Sequence, residues 1–246
     1  MAAAVASAPA VFRILPKALA TSYSDAAHGP LFFLAGPLGG GGDWQSDMCA
    51  ALLQCVPTGF TAVLPYGLED RPATDPSRAA FPLTALPAEA FTTRQLPWER
   101  AYLDAAAGAQ PPPGSSTPCR GCLVFWLPQE SASHPKGPGH GPYAQDTRGE
   151  LGEWRGRLMS NRSLRVVVGG EEGFRGFDTV RRNFKLALGD DFPVHDTLGE
   201  GGEPKRTPRE CMLATAAAAA RLALATGSSA AGSAGSEASA AGGSSA

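Results

Sequence analysis

The stretch "FFLAGPLGGGGDWQ", Phe32 to Gln45, decides the fold. An apolar run ends in Ala-Gly-Pro, four glycines follow, and Asp-Trp-Gln opens a segment of helical spacing. Strand, glycine loop, helix is how many nucleotide-binding α/β folds begin. This loop holds no Gly-x-Gly-x-x-Gly, and no Gly-Lys-Ser/Thr follows it. It is therefore neither a dinucleotide fingerprint nor a triphosphate loop. Two readings stay open: a turn whose glycines permit unusual backbone angles, or a loop that faces a ligand.

Outward from this stretch, strands and helices alternate. Leu31 to Ala35 is an uninterrupted apolar run between Gly-Pro and Gly-Pro, the pattern of a strand buried on both faces. Asp43 to Cys55 carries Trp44, Met48, Leu52 and Cys55 at helical steps. Further strands are expected at Val11 to Leu15 (a short edge strand), "FTAVLPYG", "CLVFWLP", "LRVVVGG" and "FPVHDTL". Helices are expected from Pro97 to about Ala107, with proline at the first helical position, at Thr147 to Met159, at Val180 to Leu188, and over "TPRECMLATAAAAARLALA". The alternation predicts a doubly wound, flavodoxin-like parallel sheet of about five strands with helices on both faces. Ligands then bind at the carboxyl ends of the strands, here "AGPLGGGG", "PYG", "WLPQES" and "GGEEGFRGF".

The chain of 246 residues is 43% hydrophobic and 18% charged, which suits one α/β domain. We place it at residues 11–225, with Pro/Gly-rich insertions near 69–94, 108–118 and 129–145. Residues 1–10 and the Ala/Gly/Ser tail 226–246 read as disordered. A net charge of −2 with no basic stripe argues against nucleic acid as a partner. No apolar run approaches the roughly 20 residues of a membrane span. Five irregularly spaced cysteines argue against a disulfide framework and for a reducing compartment, so the cytoplasm is expected. The Ala-rich, acid-free start of the chain leaves organellar targeting as a weaker alternative.

Four features bear on chemistry. Cys119, Cys122, His134 and His140 come near zinc-finger spacing, but "HPKGPGH" cannot form the helix a finger needs, so no metal is expected. In "DTRGELGEW", Thr147 and Glu150 have capping-box spacing. Yet Gly149 and Gly152 flank that glutamate inside a helix, where glycine is costly, and small neighbours let a ligand come close. In "QLPWER", Glu99 suits the first turn of a helix and also supplies a second carboxylate near the strand ends. Paired carboxylates are what glycosyl chemistry uses: one attacks or stabilises the anomeric carbon, and an acid protonates the leaving group. The four tryptophans, Trp44, Trp98, Trp126 and Trp154, fall in these motifs. Each reads first as core, and a nucleobase would need such flat apolar walls.

Taken in order, "FFLAGP…WQ", "QLPWE", "LVFWLP", "TRGELGEW" and "VVVGGEEGF" resemble the nucleoside 2-deoxyribosyltransferase-like family, over roughly Leu31 to Leu198. The resemblance implies a flavodoxin-like fold and an enzyme that cleaves the N-glycosidic bond of deoxynucleosides through a covalent glycosyl-glutamate. The sugar then passes to another base. The family nucleophile falls on Glu150, within Glu-x-Gly, and the family acid on Glu99. Substrate-binding positions are expected at Gly36, Pro37, Trp44, Gln95, Trp98, Trp126 and Gly152. No cofactor is implied. The partner is a small nucleoside or nucleobase, and a homo-oligomer is compatible with the family.

Three positions depart from the family pattern. A tyrosine of the first main strand falls on Phe32, an aspartate after the third falls on Leu127-Pro128, and a C-terminal tyrosine has no match in the tail. They motivate two alternatives, an N-glycosidase that uses water and a non-catalytic nucleotide-binding module.

Overall fold

The computed structural model describes residues 10–65, 84–86, 90–91, 94–132, 135–136, 141–197 and 206–225. The expectations of disorder for the two termini fall, apart from Ala10, outside these residues. So do most of the 69–94 insertion and both histidines of the zinc-like spacing.

In chain order the elements are β1 (Val11–Ile14), β2 (Ala18–Leu19), α1 (Asp25–His28), β3 (Leu31–Ala35) and α2 (Trp44–Cys55). Then come β4 (Phe60–Val63), β5 (Thr84–Ala85), β6 (Ala90–Phe91), α3 (Gln95–Ala107), β7 (Gly121–Leu127) and α4 (Gln145–Ser160). The chain closes with β8 (Val166–Gly170), α5 (Phe177–Leu188), β9 (Val194–His195) and α6 (Pro208–Ala225). Seven strands form one parallel sheet in the order β5-β1-β4-β3-β7-β8-β9. The inner run β4-β3-β7-β8-β9 has the 2-1-3-4-5 order of flavodoxin-like sheets.

The sheet has seven strands where about five were expected: the Val11 strand and the other strands read from the sequence account for six, and β5 is the addition. The edge is β5, not the Val11 strand, which pairs on both sides. A small antiparallel ladder of β2 with β6 stands apart from this sheet. The strands that were not expected, β2, β5 and β6, span only two residues each, too few to show any alternation.

Strand alternation explains why β3 and β7 read as continuous apolar runs. Leu31, Phe33 and Ala35 join Leu123, Phe125, Leu127, Val166 and Val168 in one core with the inner faces of α3, α4 and α5. Phe32 and Leu34 join Cys122, Val124, Trp126 and Val167 in the other, under α2 and α6. Both faces are covered, so neither can be polar. Each fully buried Phe or Leu contributes roughly 1.5–3 kcal/mol.

Three helix starts differ from expectation. α5 begins at Phe177, three residues before Val180. α3 begins at Gln95, so Pro97 is its third residue. It still sits among the first four amides, which have no intrahelical partner, and costs no hydrogen bond. α4 begins at Gln145, so the Thr147–Glu150 capping box does not form. Ala144 occupies the cap in the left-handed region (φ 59°) with no side-chain cap bond. Among the described residues no helix is long and apolar enough to cross a membrane.

Candidate active site

The chain reverses its direction across the sheet between β3 and β7, since β4 lies to one side of β3 and β7 to the other. Such a switch point opens a crevice at the carboxyl ends of the two strands. A cavity of about 290 Å³ lies there. Its floor is the end of β3, from Phe33 and Ala35 to Gly36 and Pro37. Leu96 and Glu99 of α3 form one wall, and Asp146, Thr147 and Glu150 of α4 the other. Leu38, Gly39 and Lys136 form part of the rim.

Glu150 lies in the second turn of α4, half-buried, on a helix anchored by the buried Leu151, Trp154 and Leu158. No hydrogen bond holds its carboxylate among the described residues. Burial pushes its pKa up to about 7, helped by the charges of Glu99, Asp146 and Glu153, while Arg100 pulls it down. Glu99 is held differently: Gln95 Nε2 donates to Glu99 Oε1 at 2.6 Å. The same amide lies 3.4 Å from the Pro65 carbonyl oxygen. Gln95 thus reaches the cavity through Glu99 rather than by lining it.

The raised pKa of Glu150 has a consequence for stability. The folded chain holds this proton more tightly than the unfolded chain, so the contribution is full below about pH 4.5 and is lost as pH rises through about 7. Glu150→Gln removes the buried charge. It is expected to stabilise the protein at pH 8 by roughly 1–2 kcal/mol, with partial exposure discounted, and to lose that advantage below pH 5. Urea denaturation of both proteins at the two pH values measures this. An equal difference at both would show that burial does not penalise the charge.

Of the positions expected to meet substrate, the structure brings Glu150, Glu99, Gly36 and Pro37 onto one cavity. Three tryptophans are elsewhere. Trp98 is buried with its indole N–H donated to the Ala18 carbonyl at 2.8 Å. Trp126 is fully buried on the α2 and α6 side of the sheet. Trp44 lies under the cavity floor and donates to the Pro37 carbonyl at 2.9 Å, bracing the loop. Gly152 opens onto a groove toward α5, and a Cβ there meets nothing within 4 Å.

Other side chains take up the walls. Phe33, not Phe32, faces the cavity; Phe32 points to the opposite face and packs edge-on against Phe60. The Tyr143 hydroxyl, close by in sequence, is donated to the Pro128 carbonyl at 2.9 Å. Of the four glycines only Gly39 lines the cavity. Gly40 takes a positive φ of 85°, and its carbonyl accepts from the Ser131 amide at 2.6 Å, tying the glycine loop to the segment after β7. The segment after β8 stays away from the cavity, and Glu171 accepts the Gln129 amide at 2.9 Å. Sequence reasoning did not mark Asp146, Lys136, Leu96 or Thr147 as lining a site. Only Thr147 carried a signal, and its pattern was that of a cap.

All five cysteines are free, and burial holds Cys119 up at about 12. Among the described residues no group of His, Cys, Asp and Glu is placed to hold a metal ion. No family model matches the chain, and no curated protein matches it.

Proposed function

We propose that the chain is a nucleoside 2-deoxyribosyltransferase-like enzyme, a pentosyltransferase that cleaves the N-glycosidic bond of a deoxynucleoside and passes the sugar to another base. The observation that carries this reading is the convergence of Glu150 and Glu99 on one cavity at the β3–β7 switch point. A Glu150 oxygen attacks the anomeric carbon as its bond to the base nitrogen breaks, leaving a glycosyl ester. On this reading the departing base takes up a proton from Glu99. An incoming base then attacks the same carbon through nitrogen and gives its N–H proton back to Glu99, the ester bond breaks, and Glu150 is freed. Charge that develops at the anomeric carbon is stabilised by a carboxylate held in a poorly hydrated site.

Incubation with a deoxynucleoside, followed by mass spectrometry of the intact chain, should find one deoxyribosyl adduct on Glu150. Absence of any adduct and of any base exchange would refute the reading. Attack needs the ionised carboxylate, so ester formation should rise with pH to a half-maximum near 7. Well below that point the rate should fall about tenfold per pH unit. A quenched time course from pH 5 to 9 checks this, and a flat profile would mean that Glu150 is not the attacking group.

A second reading, an N-glycosidase with water as acceptor, is favoured by one observation. A second opening, the groove between α3 and α4, also reaches Glu99 and Glu150 and gives water a path to the ester. Free deoxyribose formed without a second base supports hydrolysis, and strict dependence on that base supports transfer.

A further inference from the structure

Glu99 and Glu150 repel each other, yet they belong to helices separated by an open groove of about 340 Å³. Two ion pairs span that groove. Arg100 Nη1 and Nη2 meet Glu153 Oε1 and Oε2 at 2.7 and 3.0 Å, a two-pronged bridge from α3 to α4. One turn further along both helices, Arg157 Nη1 meets Asp104 Oδ1 at 2.6 Å. Arg157 Nη1 also lies 3.9 Å from Glu153 Oε1, which closes the chain.

The spacing makes this a ladder. Arg100 and Asp104 are four residues apart on α3, and Glu153 and Arg157 four apart on α4, so each cation faces an acid across the groove. Arg157 is fixed further by the Trp154 ring, 4.0 Å below its guanidinium carbon. An isolated exposed pair contributes little. A two-pronged arginine–carboxylate pair in a linked set holds geometry better.

We propose that Arg100, Asp104, Glu153 and Arg157 form a positioning clamp that holds α3 to α4, so that Glu99 and Glu150 address one substrate. This rests on the glycosyl-transfer reading above. The quartet begins one residue after Glu99 and three after Glu150, where a hinge opening would be felt most. The charged groups around Glu150 are Glu99 and Arg100 from α3, Asp146 and Glu153 from α4, and Lys136 on the cavity rim.

Charge swaps in the full chain test the clamp. The Arg100 side chain is 63% exposed, so R100E leaves the core intact. If these residues acted only through their charge, R100E and E153R would move ester formation in opposite directions. The first adds an acid beside Glu150 and the second replaces one by a base.

A clamp predicts that each single variant slows ester formation at least about tenfold and that R100E/E153R recovers at least about threefold over either, short of wild type because the swap sets like charges beside Asp104 and Arg157. It also predicts faster amide hydrogen exchange in the first turns of α3 in both single variants, reversed in the double. Opposite responses of the single variants, unchanged exchange in α3, or no recovery in the double would each overturn the clamp. A wild-type chain that forms no ester would overturn the functional reading instead, and hydrogen exchange alone would then decide the clamp.

Discussion

Replacing Glu150 by alanine is expected to abolish transfer, with base exchange falling at least about a thousandfold and no sugar ester detectable. The expectation follows from position. Glu150 makes no hydrogen bond among the described residues, so alanine breaks no polar contact in the fold. Its carboxylate faces the cavity beside Glu99, where a charge is costly unless a ligand uses it. Glu150→Gln keeps the shape and removes only the oxygen anion that the proposed mechanism uses for attack, so it should be as inactive as alanine and at least as stable as wild type. Glu99→Gln should act differently. It removes the proposed proton carrier, with an expected loss of about a hundredfold, and takes away a like charge that raises the Glu150 pKa. The pH profile of its residual activity should therefore shift to lower pH. Equal exchange by wild type and Glu150→Ala would remove this residue from the mechanism.

Some of this arrangement could be read from residues alone, and the reasons are specific. β3, β7 and β8 lie in the middle of the sheet with helices on both faces, so their sequences are unbroken apolar runs that periodicity detects. β5 and β6 are two-residue strands in a Pro/Ala-rich segment, and such pairings depend on where the chain is carried in space. The capping-box pattern at Thr147 failed because it does not fix where a helix begins. Gln145 and Asp146 also suit a first turn, and Ala144 closes the end by taking a left-handed conformation.

Glu150, Glu99, Gly36 and Pro37 converge because their motifs sit at strand ends and facing helix starts. The tryptophans share those motifs but not their direction. Trp98 is one residue from Glu99 and so points about 100° away round the helix, into the core. Trp126 lies between Phe125 and Leu127, and alternation turns it to the opposite face of the sheet. Lys136 and Leu96 reach the rim through loop and helix placement that no short pattern encodes.

Gly36→Ala is expected to lower stability by about 2–4 kcal/mol, a fall in melting temperature of roughly 5–15 °C. The glycine that ends "FFLAG" lines the cavity, but the space left by its missing side chain is filled by protein. A Cβ there would collide with the Trp126 carbonyl oxygen and come within 2.8 Å of Trp44 Cζ2. Neither neighbour yields easily. Trp126 belongs to β7, which is paired on both sides in the middle of the sheet. Trp44 is buried and tied through its indole N–H to the Pro37 carbonyl. Gly156→Ala is the counterpart, because a Cβ at that exposed position of α4 meets nothing within 4 Å. There the same substitution should stabilise by about 0.5–1 kcal/mol, since alanine costs less than glycine inside a helix. Thermal melts of the two variants beside wild type should therefore move in opposite directions. A Gly36→Ala protein that melts like wild type but forms no ester would show that this glycine makes room for the sugar, not for Trp126.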